Sequence, residues 1–453
     1  LERGAMIDFD YTITSAKGYT QAIMGSEQLL MNSPVKKLTF ILNVPAGASV
    51  NIEQFNITGK PVVTKSGGKT SYTWTLTDVP AALREDFRPK ELQNRPRIVF
   101  AASNKPADLL SGFTSQEAFK CELPNDLKEK AASVVSEISN PLLKTLKLQE
   151  MVANELNTWQ VPLQYTGYKL RTIPEIWQSN GGTDAEKAVL LTGLLRSQGI
   201  QAEPVAVIAD RYYTKKVASA ALIERFLVKV SLQGLEPIFL SPTQPEQQDF
   251  RFMLAGKRVI SLVPGKTQPS EVITDTKNLI ALSGNLDLND DLSLKGKLNL
   301  ELGGRLNPWL KLQKDTAYSA SMLSTFFGNG KISDIVKGKT DIDLSSFGFA
   351  ASSGSFVNEK AGYVFLKFPS VPSGSDSWHM TELLSKRAEP LEIPFAINES
   401  YEIFITIPEG MQMVSTAADL KMNNEFGSID CSVTTEGNRV HIERKISITK
   451  TYI

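Results

Sequence analysis

Cysteine and histidine are almost absent from this sequence. Its 453 residues contain two of each, Cys121, Cys431, His379 and His441. The stretch from 126 to 250 holds none of them. That stretch cannot by itself run Cys–His hydrolase chemistry, whatever fold it takes. Two cysteines so far apart cannot build a zinc site. A disulfide between them requires the two ends of the fold to touch, and the simpler reading is two buried free thiols. Net charge is also lacking, because 49 Lys and Arg balance 49 Asp and Glu. Nucleic acid and anionic membranes both call for a basic surface, so neither is expected as a partner, and no dense basic run is present. No apolar run reaches the roughly 18 residues of a transmembrane segment. No signal peptide is visible. The opening Leu1-Glu2-Arg3-Gly4-Ala5-Met6 does not read as a native start. A trimmed or mature fragment is expected, and the missing signal says nothing about compartment.

The length suggests roughly two to four domains at about 100–200 residues each. The 42% hydrophobic content is that of an ordinary globular chain, and a core of that size needs no disulfide or metal staple. Residues 1–125 read as β and suggest a sandwich. Asp8–Thr14 alternates, Lys36–Val44 ends at Pro45, and Pro96–Ala102 is apolar. Val62–Leu76 looks like a hairpin turning at Ser66-Gly67-Gly68. The period changes near 126. Leu127, Ala131, Val134, Val135 and Ile138 form a helical stripe, and Pro141 interrupts it before Leu142–Trp159 resumes. Thr183 followed by Glu186 is a capping box, Ala188, Leu191, Leu194 and Leu195 share a face, and Gly199 stops the helix. Strand-like runs follow at 203–208, 226–232 and 237–240, so 126–250 reads as an α+β unit. Residues 251–453 return to β, with alternating runs at 285–302, 401–407 and 439–448 and a helical excursion near 316–337. Ala350–Ser355 and Pro372–Ser377 read as loops.

The run Lys187-Ala188-Val189-Leu190-Leu191-Thr192-Gly193-Leu194-Leu195-Arg196-Ser197-Gln198-Gly199-Ile200 resembles the nucleophile helix of the transglutaminase-like superfamily, which includes bacterial cysteine peptidases. The flanks resemble the β domains of unknown function that precede and follow this core in many Bacteroidetes proteins. For the second flank the likeness rests on Arg387, Pro390-Leu391, Ile407-Pro408-Glu409-Gly410 and Glu425-Phe426-Gly427. The resemblance implies a mostly β multidomain chain: β-sandwich, papain-like transglutaminase core, C-terminal β domain. It also implies export to the periplasm or cell surface. In that family a Cys opens the helix, a His lies on a following strand and an Asp on the next. Here the Cys position falls on Asp184 and the His position on Arg225 or its neighbour Phe226. The Asp position falls on Ser241 of Leu240-Ser241-Pro242-Thr243. A carboxylate, a guanidinium and a hydroxyl cannot replace an activated thiolate, because arginine stays protonated and is no general base. No catalytic residue is therefore assigned. Asp184 and Arg225 are candidates for an ion pair in place of the lost one. The plainer alternative is that Asp184 caps the helix and Arg225 points to solvent.

Other signals are weaker. Asp287-Leu288-Asn289-Asp290-Asp291 starts like a calcium loop, but Leu292 and Leu298 stand where Gly and Glu are needed, so a hairpin turn is expected. Glu175, Asp184 and Glu186 suit a helix start better than a glycosidase pair. Trp159, Tyr165 and Trp177 flank the presumed groove as core or as a platform for a sugar or peptide. Asn56-Ile57-Thr58 and Asn398-Glu399-Ser400 match a glycosylation sequon that a bacterial chain would not ordinarily use. The expected function is a catalytically inactive binding or scaffold module of the bacterial envelope. Its ligand would be a peptide, a glycan or a protein, with no cofactor and no metal. The alternative is a protease or transglutaminase-type acyl-transfer enzyme acting on peptide or cell-wall amide bonds.

Overall fold

The structure is a computed structural model. It describes residues 6–453 apart from 9, 21, 90–91, 103–105, 215–216, 218, 246–248, 266–269, 275, 316, 381–385 and 415–418. The first strands are β1 (Met24–Gln28), β2 (Val35–Pro45), β3 (Asn51–Phe55), β4 (Val62–Ser66), β5 (Lys69–Val79) and β6 (Arg97–Ala101). They form two antiparallel sheets, ordered β1-β6-β3 and β2-β5-β4. The β4–β5 hairpin turns through Gly67 and Gly68 at φ 55° and 72°, values that glycine adopts without strain. Leu42, Val44 and Trp74 of one sheet meet Ile98 and Phe100 of the other, which makes the expected sandwich. Two expectations fail here. The described residues of Asp8–Thr14 form no strand, because alternation without a neighbouring strand gives no ladder. Pro106–Thr114 is a helix, α1, inside the stretch read as β. Proline suits a first helical position, and Leu110 and Phe113, three apart, are both buried.

Next come α2 (Asn125–Val134) and α3 (Pro141–Glu155). Asn140 caps α3 by accepting from Leu142 N at 2.8 Å and Leu143 N at 3.2 Å, so Pro141 begins α3 and does not break α2, which already ends at Val134, short of Ile138. The two-residue strands β7 (Asn157–Thr158) and β8 (Gly181–Gly182) pair in parallel on either side of α4 (Ile173–Gln178). Then α5 (Asp184–Ser197) is buried without a break from Ala185 to Leu195. A helix enclosed on every side belongs at the centre of a core, and its buried Glu186 and Lys187 both find hydrogen-bond partners. It lies on a sheet of β9 (Gln201–Ala209), β10 (Arg225–Ser231), β11 (Ile238–Leu240), β12 (Lys257–Ser261) and β13 (Ser270–Val272), ordered β11-β10-β9-β12-β13 and antiparallel throughout. Phe226, Val228 and Val230 pack with α5, whereas Leu227 joins Val205, Val207 and Phe239 in a second core on the opposite face. Burial on both faces explains why these strands read as continuous apolar runs. The sheet takes its last two strands from beyond residue 250.

The remaining elements are β14 (Leu279–Leu288), β15 (Leu294–Gly303), α6 (Trp309–Lys314), α7 (Tyr318–Phe326), β16 (Lys331–Thr340), β17 (Leu344–Ser353), β18 (Val357–Lys360), β19 (Tyr363–Leu366), β20 (Ile397–Thr406), β21 (Asp419–Asn424), β22 (Gly427–Glu436) and β23 (Arg439–Ile448). Eight of these strands form one sheet, ordered β16-β17-β15-β14-β20-β23-β22-β21, in which β14 and β20 run parallel. Asn289–Ser293 is a hairpin turn, closed by Asn289 N donating to Ser293 O at 2.9 Å, as the failed calcium pattern implied. The helical excursion is displaced from its expected place. It comprises α6 and α7, and from Lys331 the chain is a strand. Ile332 and Ile335, within the stretch read as helical, instead pack from β16 onto the core. Ala350–Ser353, read as loop, is the end of β17, where Ala351 and Ser353 alternate inward although the side chains are small.

The first and last thirds of the chain are clasped together. Arg95 Nη2 meets Glu389 Oε1 at 2.6 Å, and Leu83 N donates to the same oxygen at 2.9 Å. In return Glu85 accepts from Ala388 N at 3.0 Å and Glu389 N at 3.3 Å. Each side thus offers a carboxylate to amides of the other.

Candidate functional site

The N-terminus of α5 is where the sequence pattern concentrates. Thr183 is its N-cap, and Glu186 completes the box by accepting from Thr183 N at 2.9 Å. Glu186 is 4% exposed and also accepts from Arg171 N at 3.1 Å, Arg171 Nε at 2.8 Å and Arg171 Nη2 at 2.8 Å. Burial pushes this carboxyl up, but the Arg171 and Thr183 bonds outweigh burial and hold it below its ordinary value. Arg171 continues to Ser179 Oγ at 2.7 Å and Gly181 O at 2.9 Å, and its guanidinium lies 4.1 Å from the Trp159 ring centre. One arginine therefore ties α4, β8, the start of α5 and an aromatic ring into a single rigid corner.

Asp184 is the first residue of α5. Its Oδ1 accepts from Ala185 N at 2.9 Å and its Oδ2 from Phe226 N at 3.3 Å. Burial raises its pKa, opposed by those two amides and by the more distant Arg225 charge. No direct Asp184–Arg225 ion pair is found among the described residues, and the two act on each other only through charge, without a hydrogen bond. The reason is strand alternation. Along β10, Phe226 faces α5, so Arg225 projects from the opposite face, where its guanidinium lies 4.7 Å from the Phe250 ring centre. Nor does Arg225 simply point to solvent, because it is only partly exposed over that ring. The side chain presented to the Asp184 end of the helix is Phe226, which packs against Phe113 at 6.2 Å. Ser241 is buried, and its hydroxyl caps the turn after β11 by accepting from Thr243 N at 3.3 Å, while its carbonyl accepts from Gln149 Nε2 at 2.9 Å. These bonds hold a turn and present nothing reactive.

The three aromatic residues have different surroundings. Trp159 is 39% exposed beneath Arg171, Tyr165 is 64% exposed, and Trp177 is partly buried against the core with Lys130 Nζ 4.5 Å from its ring centre. Only Trp159 belongs to the corner around Glu186. Glu175 is occupied by its own helix start, where it accepts from Thr172 N at 2.7 Å. Among the described residues no group of three or more His, Cys, Asp and Glu is placed to hold a metal.

Both thiols lie elsewhere. Cys121 is buried against the middle of α5, because a Cβ on Gly193 would lie 2.7 Å from Cys121 O. Gly193 is nine residues beyond Asp184, about 13 Å along a helix axis. Burial pushes the Cys121 thiol up to about 12. Cys431 is on β22 and half-buried, so the reading of two buried thiols holds only for Cys121. His441 lies on β23, stacked 4.3 Å from Phe404, and His379 follows a short turn in the C-terminal region.

Arg171 is not singled out by the sequence, and Lys187 is read there only as the start of the helical motif. Phe226 stands in the sequence as the alternative to Arg225, and the alternation of Phe226, Val228 and Val230 with Arg225, Lys229 and Ser231 along β10 is the signal that favours it. Lys187 is fully buried on α5, donating to Leu156 O and Thr158 Oγ1, each at 2.9 Å. Its place between the charged first turn Asp184–Glu186 and the apolar run from Ala188 gives little sign of this burial.

Two family models match parts of the chain. Both are described as domains of unknown function with a solved structure, DUF3857 over residues 1–82 and DUF3858 over residues 363–453. Neither spans half of the chain. No curated protein matches it. Among solved structures, a "putative protease" from Parabacteroides distasonis ATCC 8503 is similar over 96% of this chain and 71% of its own, at 23% identity and TM-score 0.61. That likeness establishes the fold. A "putative cysteine protease" from Cytophaga hutchinsonii matches 49% of this chain and 74% of its own at 13% identity, but its TM-score of 0.23 carries no argument.

Proposed function

We propose that this protein is a binding or scaffold module built on a transglutaminase-like core, and that it performs no acyl transfer. The observation that supports this reading is the environment of Asp184, the position that the resemblance gives to the family's cysteine: its carboxylate accepts from two backbone amides, and the β10 residue facing it is Phe226. Acyl transfer by this fold needs a thiolate and an imidazole in hydrogen-bond reach. The half-exposed Trp159, braced by Arg171, and the exposed Tyr165 are the residues we assign to contact a peptide, glycan or protein ligand. Export to the periplasm or cell surface follows from the family resemblance alone, and fractionation of the native host tests it.

A second reading, protease or transglutaminase-type activity on peptide or cell-wall amides, draws on the fold shared with a protein described as a putative protease. Fold is a weak warrant for activity. A peptidase and amidase screen on the parent and on a Cys121→Ala/Cys431→Ala variant separates the readings. Turnover in neither protein is expected. Turnover that the double variant loses would sink the binding-module reading. Turnover that survives in both would move the chemistry to carboxylates near Asp184 and sink it equally.

A further inference from the structure

The corner at the start of α5 carries a surface that is short of charge. Residues 157–165 and 178–182, joined by the β7–β8 pairing, contain no Asp, Glu, Lys, Arg or His in a chain that is 22% charged. Most of these residues are exposed. The ion pair beneath them is closed on itself. Arg171 Nε and Nη2 donate to Glu186, and Nη1 donates to Ser179 Oγ. At the border Lys169 Nζ donates to Gly18 O at 2.8 Å. A surface of this kind gives a phosphate, a uronic acid or a charged peptide no counter-charge.

Trp159 is the fixed point of this surface. The Arg171 guanidinium lies 4.1 Å from its ring centre, and its Nε1 lies 2.7 Å from where a Cβ on Gly181 would stand. The 39% of the residue that stays exposed is therefore held at one angle. Asn157 lies two residues earlier on the same side of the strand, with its Cβ 3.1 Å from the same Gly181 position. Asn157 Nδ2 donates to Asn180 O at 3.2 Å, and its Oδ1 accepts nothing among the described residues. Trp159 Nε1 and the exposed Gln160 amide likewise have no hydrogen bond among the described residues.

The backbone at this place is taken. Asn157 N and Trp159 N donate to Asn180 O at 3.0 Å and Gly182 O at 2.9 Å, and β7 is two residues long, so an added peptide strand finds no ladder. A fixed aromatic ring, an indole N–H and side-chain amides remain. A sugar ring matches that set. One face of a pyranose is a patch of C–H bonds that lies against an aromatic ring. Its hydroxyls are donors and acceptors at once, as are the amides of Asn and Gln.

We propose that the surface around Trp159 binds the neutral sugar rings of a glycan, with one ring stacked on Trp159 and its hydroxyls bonded to Asn157 and Gln160. This rests on the reading of the core as a binding module and selects one class among its ligands.

The test is isothermal titration of the full chain with cellotetraose, chitotetraose, maltotetraose and mannotetraose. Tetragalacturonate and a lysine-rich peptide serve as charged controls. Saturable binding of at least one neutral sugar is expected, with neither control bound. The affinity should hold from low salt to about 0.5 M salt, because no ion pair forms. Trp159→Ala should weaken binding at least about tenfold, and Trp159→Phe should restore most of it. Trp159 also packs on Arg171, so thermal unfolding checks the fold of these variants. Gln160→Ala, at an exposed side chain, is the second variant and should weaken binding several-fold with no change in Tm. No saturable binding by any of the neutral sugars, binding that survives both alanine variants, or a preference for a charged control would overturn the proposal. Concentration-dependent dimerisation that Trp159→Ala removes would also overturn it, since a second copy would then cover the ring. Turnover in the peptidase and amidase screen sinks the binding-module reading itself. Failure of sugar binding without turnover sinks only the ligand class.

Discussion

Replacing Glu186 by Gln tests the corner that positions the start of α5. The parent carboxylate accepts from Arg171 N, Nε and Nη2 and from Thr183 N and Oγ1, at 2.8 to 3.2 Å. An amide keeps the shape but turns an NH2 group toward N–H donors. At least two good contacts are lost. Net values of about 1–1.5 kcal/mol each give a cost of about 2–3 kcal/mol. Breaking a buried pair reaches about 3–5 kcal/mol when the partner is left unsatisfied. Arg171 is not left so, because Ser179 Oγ, Gly181 O and the Trp159 ring remain and its side chain is 29% exposed. Urea titration followed by tryptophan fluorescence reads the loss. Hydrogen exchange across 171–186 then localises it, which avoids assuming one two-state transition for the whole chain. Thr183→Ala, which removes the cap and leaves the ion pair, should cost about 1 kcal/mol. The pH dependence has a definite sign. Glu186 is held below the ordinary value of 4.5 in the folded state. Its contribution is therefore fully present above 4.5 and is lost as pH falls through the folded value. Glu186→Gln should lack that acid limb. A loss below about 1 kcal/mol, or an unchanged acid limb, would refute the corner as a stabilising unit.

Further outcomes follow from single contacts. Burial lowers Lys187 from 10.5 to about 8. Between those values the unfolded chain holds the extra proton, so stability should rise with pH over that window and stop doing so in Lys187→Met, as read by urea midpoints. Gly193→Ala should lower stability by about 1–3 kcal/mol despite the better helix propensity of alanine. Its Cβ would sit 2.7 Å from Cys121 O and 2.8 Å from Leu123 Cδ2, and a stabilised variant would show that this contact is loose. Glu389→Ala leaves Arg95 and Leu83 N without their shared acceptor. A loss of about 2–4 kcal/mol is expected, with earlier proteolytic cleavage between residues 80 and 95, and unchanged cleavage would mean the clasp contributes nothing.

The sequence made the regular elements legible wherever one period prevailed. The capping box of Thr183 and Glu186, the glycine turn of the first hairpin and the proline between α2 and α3 all acted as their local chemistry required. Reading failed where a local pattern was decided by distant partners. Asp8–Thr14 alternates but has no described strand beside it, and the end of the stretch expected to be helical is made strand by the pairing of β16 with β17. The candidate site divides in the same way. The assignment of Asp184 to the nucleophile position rests on the family resemblance, through the helical pattern that starts at Lys187. The orientation of Arg225 was legible in principle, because Phe226, Val228 and Val230 alternate with Arg225, Lys229 and Ser231 along β10, and the apolar set meets α5. The Arg171–Glu186 corner joins residues fifteen apart across a loop, and no spacing rule announces it.

The central claim is that no activated thiol serves this fold. Labelling of the native protein with thiol-directed peptide probes at neutral pH, read by intact mass and peptide mapping, tests it most directly. Cys121, buried and with its thiol pushed up to about 12, should remain unlabelled until the protein unfolds. The half-buried Cys431 should react slowly, with a rate that climbs steadily with pH as for an unassisted thiol. Rapid stoichiometric labelling of either cysteine at neutral pH, suppressed by a peptide or amide substrate, would contradict the account.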